Sequence, residues 1–375
     1  MKKVGWPAAV VAALGITPCL AAPDQAEKAG WLEEFAALRV AMASGYANLD
    51  WMVAHRHVDL PALRQSAEAE LRQARSVRQA RRAIERFVAS FDDPHLRVVA
   101  SPPSQRDGES ADGRGASCSE LGFERGNRKF RFPFEQADGW ARAGGAWFPA
   151  GSFGEVGVIR IAAFREDQYR EACEEVGPEH VRERLTGELR ATIGELKKRS
   201  ISLLVVDITG NGGGTEWVAD VTRLFASGTL RRPKARRPAS DCDRTPIWNG
   251  RPVCPGLAES GEATMEGEGE WSGPLAVLVD GGTASASEDF VVWLRDVESV
   301  TIIGERTYGA GCGYVEGGAP ARLERLGVTV LMPNCARFTA DGVNEIEGIT
   351  PDAPLALDEG AAATRIQALV VLARR

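Results

Sequence analysis

The stretch "LAVLVDGGTASASEDFVVWLRD", residues 275–296, joins an apolar run, two glycines, three hydroxyl side chains (Thr283, Ser285 and Ser287) and an amphipathic run. A buried strand that turns at Gly281 and Gly282 and then feeds a helix brings its turn residues to one place, and in open α/β sheets sites gather at the carboxyl ends of strands. Ser285 stands where that helix begins. One reading makes it the helix N-cap, with Glu288 three residues on completing a capping box. The other makes it a nucleophile, because backbone N–H groups at a helix start stabilise an oxyanion. A nucleophilic serine also needs a base.

A second turn offers a partner surface. "LLVVDITGNGGG", residues 203–214, is an apolar strand ending in Asp207 and followed by Gly210, Asn211, Gly212, Gly213 and Gly214. Consecutive glycines let backbone approach a ligand where side chains would block it. A phosphate loop does not fit, since the Lys-Ser/Thr that should follow the glycines is absent. Four histidines are available to accept a proton near neutral pH. His55 and His57 in "AHRHVDL" and His180 in a charged helix read as surface residues. His95 sits in "SFDDPHLRVV", immediately before an apolar run.

Two textures position these residues. Residues 25 to about 90 carry helical spacing and little glycine, as in "WLEEFAALRVAMASGYANLD", and predict a small helical region. From about 118, short apolar runs alternate with glycine-rich turns and helices: 156–164, a helix over 178–199, then 202–210, 275–280, 300–305 and 327–333. Continuous apolar strands between helices predict an α/β core covered on both faces. Residues 100–116 and 231–272 read as long surface loops, the second including the basic run "RRPKARRP" as a solvated segment rather than a nucleic-acid site, since no aromatic residues are interleaved with it.

The first residues, "MKKVGWPAAVVAALGITPCLAAPDQ", combine two lysines, a short apolar run and small residues near Ala21 and Ala22. They predict an export signal over 1–22, ahead of the helical region, bounded at 23–92, and the α/β core, bounded at 93–375. No run is long enough to span a bilayer stably, and a periplasmic or secreted location follows. Removing the signal removes Cys19 and leaves six of the seven cysteines, an even number that favours disulfides over a metal site in an oxidising compartment. Cys242 and Cys254 are near enough to staple one loop, Cys312 is able to meet Cys335, and Cys118 and Cys173 are then left for each other; the connectivity stays open.

"VVDITGNGGG", "VLVDGGTASASEDFVVWLRD", "IIGERTYGAG" and "IEGITPD", in that order across about 150 residues, resemble the serine peptidase family of carboxy-terminal processing proteases and its tricorn-like branch. The resemblance implies an α/β fold with a crotonase/ClpP-like sheet-and-helix core, no cofactor or metal, and peptide or protein substrates. It marks Ser285 as nucleophile and the backbone N–H groups of Ala286 and of the Gly212–Gly213 turn as oxyanion donors. The best-known branch uses a lysine base in a Thr-x-Gly-Lys-Gly block, but here "TYGAG" places Ala310 at that point, and no lysine follows Lys234. Asp296, which matches the acid of that dyad, loses its role. The tricorn-like branch uses histidine instead, and its Asp-x-His block is similar to the sequence around His95. Its glutamate, seven residues before the Asp of Gly-x-x-Pro-Asp, falls at Glu345, with Glu347 as competitor. The implied triad is His95, Ser285 and Glu345. The segment between His95 and residue 156 leaves little room for the PDZ module of the processing proteases. A non-catalytic binding protein on the same fold is the alternative; an α/β-hydrolase is disfavoured because the serine lacks a G-x-S-x-G elbow.

Overall fold

Helices come first along the chain, most of them started by a short polar cap. In α1 (Gln25–Gly45) the Asp24 carboxylate accepts the N–H of Glu27, and α2 spans Leu49–Ala54. Asp59 caps α3 (Leu60–Gln73) and Ser76 caps α4 (Val77–Ala89), each satisfying an N–H that has no partner within its helix. The computed structural model describes residues 23–101, 117–124, 126, 133–145, 147–251, 254–258, 261–357 and 362–373. The expected export signal and most of the first expected loop, 102–116, lie outside them.

The α/β core follows as β1 (Arg97–Ala100), β2 (Ala141–Ala143), β3 (Ala150–Phe153), β4 (Val156–Arg160), α5 (Arg170–Val176), α6 (Val181–Lys197), β5 (Leu203–Asp207), α7 (Trp217–Leu224), β6 (Ser227–Pro233), β7 (Glu262–Glu268), β8 (Leu275–Val279), α8 (Ala286–Arg295), β9 (Val300–Gly304), β10 (Ala321–Leu323), β11 (Val328–Leu331), β12 (Ala353–Pro354) and α9 (Ala362–Ala373). A seven-stranded sheet runs in the order β12-β9-β8-β5-β4-β3-β2. It is parallel from β12 to β4 and antiparallel at β3 and β2.

Its central strands are apolar throughout because both faces are covered. In β5, Leu204 and Val206 join one core with residues of α5 to α8, while Leu203 and Val205 join a second core with α9; β8 alternates in the same way. The α/β core and its N-terminal helical region are the architecture that the sequence indicates. The helical region packs on a three-stranded sheet, β1-β11-β10, through a shared cluster that includes Trp31, Phe35, Leu38, Phe87, Trp248, Leu326 and Val330.

One expectation is corrected. Residues 231–272 are not simply a surface loop, since β6 and β7 pair over seven residues each. Alternation along β6 buries Leu230 and Arg232 and exposes Arg231, so the basic run is not uniformly solvated. Three disulfides join Cys118 to Cys173, Cys242 to Cys254 and Cys312 to Cys335. No helix among the described residues is long and apolar enough to cross a membrane.

Candidate active site

Adjacent strands β9, β8 and β5 end side by side, and their following loops build one cleft. After β8, Asp280 Oδ1 accepts the N–H groups of Gly210 (2.7 Å) and Gly282 (3.0 Å). The buried Thr283 hydroxyl donates to the Ile208 carbonyl at 3.1 Å, and Ala284 N–H donates to the Asn211 carbonyl at 3.0 Å. The glycine turn and the serine turn are therefore stitched together before either meets a ligand.

Ser285 occupies the N-cap position of α8, as the capping reading expects. Its backbone, however, has φ 56° and ψ −114°, where an N-cap ordinarily lies in the extended region. A non-glycine residue held in so sparsely populated a conformation costs about 1–3 kcal/mol and persists where the surroundings enforce it. Gly213 is part of that enforcement. A Cβ there would lie 2.6 Å from the Ala284 oxygen, 2.7 Å from the Ala286 nitrogen and 2.9 Å from the Ser285 Cβ, so only glycine admits this approach.

The buried Glu288 carboxylate is the main fastener. Oε2 accepts the N–H groups of Ser285 (2.9 Å), Ala310 (3.0 Å) and Gly311 (2.9 Å), and Oε1 accepts the Thr307 hydroxyl (2.7 Å) and the Gly309 N–H (2.8 Å). Burial pushes its pKa up, against the Thr307 hydroxyl and the loop N–H groups that favour the charged form. Five donors suit an ionised, acceptor-only carboxylate. One side chain thus ties the serine to the loop after β9. The "IEGITPD" block fixes that loop from the other side, because Ile349 N–H donates to the Thr307 hydroxyl at 2.7 Å.

His95 meets the same loop. Its Nδ1 donates to the Ala310 carbonyl at 3.0 Å, which assigns the ring proton to Nδ1 and leaves Nε2 as an acceptor. His95 and Ser285 line one cleft of about 1010 Å³ with Gly212, Ala286, Tyr314 and Arg337. Burial lowers the His95 pKa, with Arg337 and Arg97 adding to the effect and Asp93 and the Ala310 carbonyl opposing it. Asp93 accepts the His95 N–H (3.0 Å), the Tyr46 hydroxyl (2.9 Å) and the Asn48 amide (3.1 Å), so the helical region holds the turn that carries the imidazole. His55, His57 and His180 are exposed, as expected.

Glu345 is placed differently from the expectation. It is buried, but Oε1 is taken by Arg232 Nη2 (2.5 Å) and Oε2 by Arg337 Nε (2.7 Å), and among the described residues it makes no hydrogen bond to His95. A backbone carbonyl fills the place expected for the carboxylate. Glu345 instead steadies Arg337, whose Nη2 donates to the carbonyls of Ser285 (2.7 Å) and Gly311 (2.9 Å). Glu347 accepts from Trp51 Nε1 (2.8 Å) and Arg56 Nε (2.9 Å) and faces the helical region. Of the oxyanion donors expected, Gly213 N–H already donates to Asn211 Oδ1 at 2.9 Å. Gly212 and Ala286 line the cleft, and no partner for either N–H occurs among the described residues.

Sequence reasoning missed three groups. Arg160 in "VGVIRIAAF" pairs with Asp207 at 2.7 Å, both buried at the ends of β4 and β5; a lone arginine in an apolar strand was the available signal. Arg232 and Arg337 gave none, because their partner Glu345 lies 113 and 8 residues away in the chain. A second groove, about 780 Å³ between α9 and the β9–β12 edge, is lined among the described residues by apolar side chains with Thr364 and Gln367.

A strained serine at a strand-to-helix turn, a histidine with a fixed tautomer and the N–H groups of Gly212 and Ala286, without a partner among the described residues, are the features of a serine hydrolase site. The chain belongs to peptidase family S41, which it matches over residues 155–355, just over half its length. It is 28% identical over 163 residues to the chloroplastic C-terminal processing peptidase of Tetradesmus obliquus, covering 44% of this chain. It is 27% identical over 157 residues to the carboxyl-terminal-processing protease of Synechocystis sp., covering 42% of this chain. The match spans 28% of the length of each of these relatives. Among solved structures, mature CPAF complexed with lactacystin shares the fold with a TM-score of 0.67 at 15% identity, over 92% of this chain and 98% of that one. Another structure of mature CPAF gives 0.62 at 14% identity, over 88% and 93%.

Proposed function

We propose that the protein is an exported serine-type peptidase that hydrolyses peptide bonds in peptide or protein substrates, with Ser285 as nucleophile and His95 as general base. The observation that carries this reading is the His95 Nδ1 bond to the Ala310 carbonyl, which leaves Nε2 unprotonated in the cleft that Ser285 lines. Ser285 Oγ attacks the scissile carbonyl carbon while His95 Nε2 takes its proton. The carbonyl oxygen becomes an oxyanion against the N–H groups of Ala286 and Gly212. The imidazolium then returns the proton to the leaving amine, the C–N bond breaks, and water repeats the cycle on the acyl-enzyme. The Ala310 carbonyl stabilises the imidazolium less than a carboxylate would, and Asp93 supplies the nearby negative charge.

Glu345 acts through Arg337 as a positioning residue in this reading. The three disulfides support export, and the family supports peptide chemistry. The test is hydrolysis of a panel of peptides by wild type, Ser285→Ala, His95→Ala and the double variant. Each single change is expected to lower kcat by about 10³-fold or more, and the double change to cost little beyond either, because the pair acts as a unit. Activity near wild type in His95→Ala with a dead Ser285→Ala would require another base. Wild-type behaviour of both variants would leave a binding protein on this fold.

A further inference from the structure

The segment after β9 that cups His95 has no regular secondary structure from Arg306 to Tyr314, yet it contacts the ring from more than one side. Ala310 offers its carbonyl to Nδ1. Three residues on, Gly313 lies against the other side of the imidazole, where a Cβ would come 2.8 Å from Nε2 and 2.9 Å from Cδ2. Tyr314 stands edge-on to the ring with centroids 5.5 Å apart, and its hydroxyl donates to the His95 carbonyl. Between the Ala310 and Gly313 contacts sits Cys312, bonded to Cys335.

Cys335 follows β11 by four residues, and β11 is the strand on which β1 is registered, with Arg97 opposite Leu331. His95 precedes β1 by two residues. The bridge therefore refers the cup to the same strand that positions the imidazole. Its sulfur environment is closed: Cys312 is 8% exposed and Cys335 fully buried, and Cys335 Sγ lies 3.5 Å from the Gly313 oxygen. Asn334 adds a neighbouring tether, its amide exchanging two hydrogen bonds of 2.9 Å with the Val315 backbone.

We infer that the Cys312–Cys335 bridge is a positioning crosslink for His95, setting the Ala310 carbonyl on Nδ1 and the Gly313 backbone against the ring face. The inference rests on the reading of His95 as base for its catalytic consequence, but the positioning itself is measurable without substrate. The charged and titratable groups facing the ring are Asp93 from its own turn, Arg97 from β1, Arg337 from beyond β11 and Tyr314 from the cup. All four remain when the bridge is removed, so a change in the ring reports the cup.

The experiment is an NMR titration of isotope-labelled histidines in the mature protein and in Cys312→Ala/Cys335→Ala, with His95→Ala to assign the signal and Cys242→Ala/Cys254→Ala as the control. In wild type, His95 should titrate below the ordinary value of about 6.5 and show the Nδ1–H tautomer. Without the 312–335 bridge, water reaches the ring, the titration moves up toward that value and the tautomer signature weakens. The control keeps wild-type behaviour. In peptide hydrolysis the bridge variant should lose about ten- to a hundredfold in kcat, and its acid limb should move to higher pH. An unchanged His95 titration and tautomer in the folded bridge variant would overturn the inference. Cys312→Val/Cys335→Ala, which refills part of the lost volume, serves as the second version; failure of both to fold would also contradict it, because the bridge would then support the fold rather than the ring. A wild-type protein with the expected His95 behaviour and its loss in the variant, but no hydrolysis, would uphold the positioning and reject the peptidase reading.

Discussion

Two buried glutamates do different work around Ser285, and their substitutions separate the roles. Glu288→Gln replaces an acceptor-only group by one that also donates. At least one of the five donors it serves then loses its partner, at a cost of about 1–3 kcal/mol, and kcat should fall about ten- to a hundredfold as the serine and the Ala310 loop part. Denaturant unfolding and steady-state kinetics read both effects. Glu345→Gln leaves Arg232 and Arg337 partly uncompensated in the interior, and breaking such a buried pair costs about 3–5 kcal/mol. Because Glu345 does not touch His95, the pH at which activity fails on the acid side should stay put in that variant. A moved acid limb would restore Glu345 as the direct partner of the imidazole. In the wild type the sign is set by burial. In the proposed mechanism His95 accepts the proton only when neutral; its pKa lies below the ordinary histidine value, and activity should therefore persist below pH of about 6.5. A pH–rate profile of kcat/KM checks this.

At the level of elements, the helical region is part of the site rather than a separate module. Asp93 gathers Tyr46 and Asn48 from around α1 and α2 with the His95 backbone, and Asn48 continues to the Asn344 amide at 3.0 Å, next to Glu345. Asp93→Asn removes the charge that favours the imidazolium and disturbs one hydrogen bond. His95 should then be easier to deprotonate and the acid limb should move to still lower pH, with stability reduced by about 1 kcal/mol. An acid limb moving up would contradict this arrangement. The strands and turns that carry Ser285 and Gly213 were legible in the sequence because an apolar run followed by glycines has few structural solutions. The β6–β7 pair was not, since "RRPKARRP" shows charge to the reader while alternation hides Arg232 from solvent. The Ala310 carbonyl was invisible for a simpler reason: a backbone group leaves no trace in residue type, and the alanine marked only where a lysine was missing.

Across the whole molecule, the site draws on β1, the carboxyl ends of β5, β8 and β9, the β6 strand and the segment after β11. Sequence order records none of that convergence beyond the ordered family blocks, and the blocks named Ser285 and His95 without their fastenings. The long-range ties, Glu288 to the 307–311 loop, Arg232 and Arg337 to Glu345, and Cys312 to Cys335, are products of topology. They explain how a chain with no lysine after Lys234 places a histidine in the cleft that Ser285 lines. The most direct measurement of this account is covalent labelling of the mature protein with a fluorophosphonate, followed across pH and mapped by peptide mass spectrometry. The account predicts modification at Ser285 alone, at a rate that rises through a single titration below the ordinary histidine value and falls to background in His95→Ala. Labelling at another residue, or at Ser285 with a rate indifferent to His95, would contradict it.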